Sequence, residues 1–102
     1  QKGYEGHIIR EDEIVFCEII DRKIYVNLTS GEVVDYYERI ENLETKLGSH
    51  FFRCHRSYLI NLEHLKGYKN GTAYMDNGKE VPVSRLRSKE FSGVVLQYMK
   101  SM

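Results

Sequence analysis

Phe51-Phe52-Arg53-Cys54-His55-Arg56-Ser57-Tyr58-Leu59-Ile60-Asn61 sets three basic-type side chains (Arg53, His55, Arg56) and a hydroxyl (Ser57) between aromatic residues. An apolar run ending in Asn follows at once. Arg and Ser are suited to phosphate oxygens and base edges, and flanking aromatics anchor a segment to a core. The stretch reads as a recognition loop carried on a β-scaffold. The plainer reading is a polar strand edge with solvated charges.

Short strands extend outward from it on both sides. Ile14 to Ile20 is an apolar run of strand length, and Lys23 to Thr29 places Ile24, Val26 and Leu28 on one face. Asp21-Arg22 between them reads as a hairpin tip. Ser30-Gly31 turns the chain into Glu32-Val33-Val34. Asn70-Gly71 and Asn77-Gly78 are dipeptides favoured where both central residues need positive φ, so Leu65 to Val83 reads as a three-stranded meander. Asp35 followed by Glu38 has the spacing of a capping box, and Ile40, Leu43 and Leu47 share a helical face before Gly48. Its other side is acidic (Glu38, Glu41, Glu44), which argues against contact with DNA. Phe91, Val94, Val95, Tyr98 and Met99 mark a second amphipathic helix. The fold class is therefore mainly β, with two short helices and small antiparallel sheets.

Composition narrows the function classes. The 102 residues fit one domain, with 41% hydrophobic and 29% charged residues in an ordinary globular balance. No stretch has the length of a membrane span, the N-terminus has no signal-peptide pattern, and two cysteines (Cys17, Cys54) are too few for a secreted disulfide framework. A cytoplasmic setting follows. The chain begins with Gln, which reads as a piece of a longer protein, with residues 1–11 as linker or partial first strand. Net charge is zero, but residues 1–50 carry eleven acids against six Lys or Arg, and residues 51–102 carry nine Lys or Arg against four acids. Such polarisation allows one face to attract phosphate.

Catalytic and metal chemistry find little support. Cys54 and His55 are adjacent, so on a strand they point to opposite faces and cannot share a proton. His50 and His64 fit no zinc spacing, and there is no Gly-rich phosphate loop. No metal, cofactor or enzymatic role is expected. Both cysteines read as small buried hydrophobes. Basic residues instead gather at Arg22-Lys23, at Arg53 to Ser57, and at Ser84-Arg85-Leu86-Arg87-Ser88-Lys89, each at a connection or strand end. Three such loops can combine phosphate grip with base readout, although any one alone is also ordinary surface charge.

In this order the features resemble the LytTR family of bacterial DNA-binding domains. Asp12 to Glu18 is similar to its entry strand, Phe51 to Leu65 is the strongest block, and Gly78-Lys79-Glu80-Val81-Pro82-Val83-Ser84-Arg85 closes it. The likeness covers about residues 12 to 90, and residues 12–102 are assigned to the domain. It implies a β-scaffold whose loops, not a recognition helix, enter DNA. Arg22, Lys23, His55, Arg56, Ser57 and Arg85 are the implied base-reading positions, with Ser57, Ser84, Arg87 and Lys89 suited to phosphate. Arg56 and Arg85 can each fork onto guanine O6 and N7. The hairpin tip departs from the family pattern, with Asp21 where Gly is common and Lys23 where an aromatic is common. The resemblance further implies double-stranded promoter DNA as partner, an upstream receiver domain and pairing on repeated sites. A protein-docking module using the helices, and an RNA binder stacking bases on Tyr and Phe, are the alternatives. A steep salt dependence separates a DNA reader from an apolar docking module.

Overall fold

In the computed structural model, which describes residues 8–101, β1 (Ile14–Ile20) and β2 (Lys23–Leu28) form the expected hairpin. Asp21 at its tip sits at φ +58°, the left-handed region, which accounts for a short polar residue there. β3 (Val33–Tyr37) pairs with β2, while β4 (Phe51–His55) and β5 (Tyr58–Asn61) form a second hairpin. β5 joins β1 antiparallel, giving a five-stranded sheet in the order β3-β2-β1-β5-β4.

Both faces of this sheet are covered. Ile24, Val26 and Leu28 face one side, as their alternation predicts, and pack with Cys17, Val34, Leu59, Ile40 and Leu43. The last two belong to α1 (Ile40–Lys46). A register shift between Ile14 and Phe16 interrupts β1, and Val15 and Phe16 accordingly both enter the opposite core with Phe52, Cys54 and Ile60. The second sheet closes that core: β6 (Leu65–Lys69), β7 (Thr72–Met75) and β8 (Glu80–Pro82) form the predicted meander. α2 (Ser88–Lys100) adds Phe91, fully buried against the rings of Phe52 and Tyr68. Asn70 and Gly71 both have positive φ, whereas at the second turn only Gly78 does. Cys17 and Cys54 are free, buried in different cores, and burial pushes both thiols up to about 12.

One element differs from the sequence reading. Asp35 caps no helix; it lies inside β3, opposite Tyr25, and α1 begins at Ile40 after Arg39, with no side-chain cap. Five consecutive pairs with β2, and an ion pair from Lys23 to Asp35 at 3.0 Å, hold the segment extended. Cross-strand pairing supplies more partners than a single capping bond, so the local Asp-x-x-Glu pattern is overridden. The linker reading of residues 1–7 lies outside the described residues; Ile8 to Arg10 form no regular element, and Glu11–Glu13 make a 3-10 turn.

Candidate nucleic-acid interface

Antiparallel pairing brings the basic loops together. Because Glu18 of β1 faces Tyr58 of β5, the β1–β2 tip and the turn Arg56-Ser57 leave the sheet at the same end. The Ile19 amide donates to the Ser57 carbonyl at 2.9 Å, fastening one loop to the other. The Ser84 amide donates to the Cys54 carbonyl at 2.9 Å, which seats the 3-10 turn Arg85–Arg87 beside β4. All three basic clusters thus occupy one end of the five-stranded sheet. Arg22 and Arg56 line one open groove there with Tyr37, Arg39 and Arg53.

Within this end, the nine predicted residues sort by what already holds them. Arg22, Arg56, Arg85 and Lys89 are exposed and, among the described residues, form no ion pair. Lys23 is not at the tip: it is the first residue of β2, tied to Asp35 and lying over the Tyr37 ring. The hydrogen bond between Lys23 and Asp35 raises the lysine's pKa and lowers the carboxyl's, so both remain charged. Arg87 pairs with Glu90 at 3.1 Å and covers the Phe52 ring.

The remaining three hold loops in shape. His55 Nδ1 accepts from the Ser57 amide at 3.1 Å, which leaves Nε2 to carry the proton of a neutral ring. Its ring also packs edge-on against Tyr58. Ser84 Oγ accepts from the Arg87 amide, capping the 3-10 turn, while Ser88 Oγ donates to the Arg85 carbonyl. Beneath the Arg56 turn, the Tyr58 hydroxyl donates to Glu18 at 2.8 Å. Burial, and then the Glu18 carboxylate, push this phenol up to about 12.

Two features were not read from the sequence. Arg39 sits at the junction between β3 and α1 and enters the groove, 3.8 Å from Glu41. Its signal, an Arg between a strand and a helix, is visible only once β3 is recognised as a strand. The carboxylates of α1 are not a remote solvated face, because Glu41 and Glu44 face Arg53 beside the Arg56 turn.

A four-cation surface on three braced loops is built to meet a polyanion, and the arginines offer forked donors to base edges. Among the described residues no cluster of His, Cys, Asp or Glu can hold a metal ion, and no helix is long and apolar enough to cross a membrane. The LytTr DNA-binding domain profile matches residues 5–95. The chain is 47% identical over 101 residues to the transcriptional regulatory protein YpdB of Escherichia coli K12, a match covering 83% of this chain and 41% of YpdB. It is 33% identical over 89 residues to the sensory transduction protein LytT of Bacillus cereus, covering 81% of this chain and 36% of LytT. A solved LytTr DNA-binding domain from Bacillus cereus superposes with a TM-score of 0.76 at 29% identity, covering 85% of this chain and 84% of that one. The chain therefore spans about two fifths or less of the curated relatives it matches.

Proposed function

This chain belongs to the LytTr DNA-binding domain family, and on that premise we propose that it reads promoter DNA through the three loops at one end of its larger sheet. The family is one of DNA-binding domains rather than enzymes. Arg56 and Arg85 are the base readers, each able to fork onto a guanine in the major groove. Arg22 and Lys89 grip phosphate, and His55, Ser57 and Ser84 set the loops' shape. The observation that carries this division is the pairing pattern: among the described residues four exposed cations have no carboxylate partner, while Lys23 and Arg87 have one. The longer relatives support a further assignment, to the output part of a cytoplasmic two-component response regulator whose receiver domain precedes Gln1. Two such domains would then occupy repeated promoter elements.

Selection from random duplexes, followed by sequencing of bound DNA, tests the reading. Wild type should enrich a short motif, and Arg56→Ala and Arg85→Ala should each relax it at a different position, by roughly tenfold or more per lost bidentate contact. Arg22→Ala and Lys89→Ala should weaken all duplexes alike and each reduce the salt slope by about 0.9. Absence of enrichment and of binding at low salt would refute the proposal.

A further inference from the structure

Arg53 has the composition of a phosphate ligand but the surroundings of a brace. It lies on β4, three residues before Arg56, with its side chain only 17% exposed. One terminal nitrogen, Nη2, donates to the Arg56 carbonyl. The other, Nη1, stands 3.7 Å from both Glu41 Oε2 and Glu44 Oε1 of α1. The remaining Nε is buried without an acceptor among the described residues. Two carboxylates around one guanidinium leave no positive field for a phosphate, and the planar fork is already divided between a helix and a turn.

We propose that Arg53 is a positioning residue that couples α1 to the reading turn, fixing the Arg56 backbone so that its side chain meets one base in one orientation. The register shift between Phe52 and His55 gives the brace its place: the β4–β5 ladder is irregular at Arg53 and Cys54, and only the pair His55–Tyr58 beyond it flanks the turn. Lysine cannot replace it. A single ammonium has no rigid fork to reach the Arg56 carbonyl and both carboxylates together. The burial of an unpaired Nε fits a residue retained for geometry, since a buried donor without an acceptor weakens the fold.

This inference rests on Arg56 as a base reader, so its test has one arm with DNA and one without. With DNA, Arg53→Lys should lose about tenfold or more in discrimination at the base assigned by Arg56→Ala, with the salt slope unchanged. The double variant should discriminate no worse than Arg56→Ala alone. Without DNA, hydrogen exchange should show faster opening at the Ile19 and Ser57 amides in Arg53→Lys but not in Arg56→Ala. In Arg53→Gln, which removes the charge, a slope reduced by about 0.9 would make Arg53 a phosphate contact and overturn the proposal. So would weakened binding with base preference intact, or unchanged protection of both amides. If Arg56→Ala leaves base preference untouched, the assignment of Arg56 falls by itself and the exchange arm still decides the role of Arg53.

Discussion

Replacing Asn61 by alanine should remove about 3 kcal/mol of folding stability while leaving DNA sequence preference unchanged. The side chain is 1% exposed at the end of β5. Its amide nitrogen donates to the Ile14 carbonyl at 2.9 Å and to the Glu11 carbonyl at 3.2 Å, and its oxygen accepts from the Glu63 amide at 2.9 Å. Each such bond contributes about 1 kcal/mol net, and alanine leaves three backbone groups without their partner. Against a total of roughly 5–15 kcal/mol this is a large fraction. With a urea m-value of about 1.5 kcal/mol/M, the unfolding midpoint should fall by about 2 M. Asn61→Asp is the sharper variant: it keeps the acceptor for Glu63 but aims a carboxylate oxygen at two carbonyls, so it should be at least as destabilising at neutral pH. Asn61 is remote from the Arg56 turn along β5, hence the intact base preference. A midpoint for Asn61→Ala within about 0.3 M of wild type, at unchanged m, would refute the bond-by-bond reasoning.

Two further outcomes follow from contacts elsewhere. His64 bridges Asp76 (2.8 Å) and the Asp12 carbonyl (2.7 Å), both of which need a donated proton; burial lowers its pKa, but these two partners outweigh burial and the net shift is upward. Its contribution is therefore complete below the unfolded value of about 6.5 and fades as pH rises through the higher folded value, so the urea midpoint should fall as pH is raised above about 6.5, less so in His64→Gln. Phe91→Ala empties the space between Phe52 and Tyr68 and should lower stability by about 3–5 kcal/mol, measured by the same denaturation; a loss under about 1 kcal/mol would mean that α2 does not close this core.

The strands were legible because their side-chain period, β-branched content and Asn-Gly turns are local signals. The partnership of β1 with β5 was not, since nothing in the spacing of Ile14–Ile20 and Tyr58–Asn61 says which strands meet. The same gap produced the misread Asp35, whose pattern is shared by caps and strands until β2 is placed beside it, with Tyr25 opposite and Lys23 reaching its carboxylate. Charges at the candidate site were equally visible, but their availability was not. In the sequence Lys23 and Arg53 look as free as Arg22 and Arg56. Only tertiary packing shows that Asp35, Glu41 and Glu44 already engage them.

The order β2-β1-β5-β4 also makes the sheet a ruler. The tip of one hairpin and the turn of the next are separated by two inter-strand steps, about 10 Å in all, the rise of roughly three base pairs along one DNA strand. Because the Ile19 amide is bonded to the Ser57 carbonyl, neither loop can slide relative to the other without breaking the ladder between them. The distance between what Arg22 touches and what Arg56 touches is thus set by backbone hydrogen bonds rather than by side-chain reach. On the proposed reading, a residue exchanged at the Arg56 turn changes which base is read there; it does not change the distance from that base to the phosphate held at the Arg22 tip.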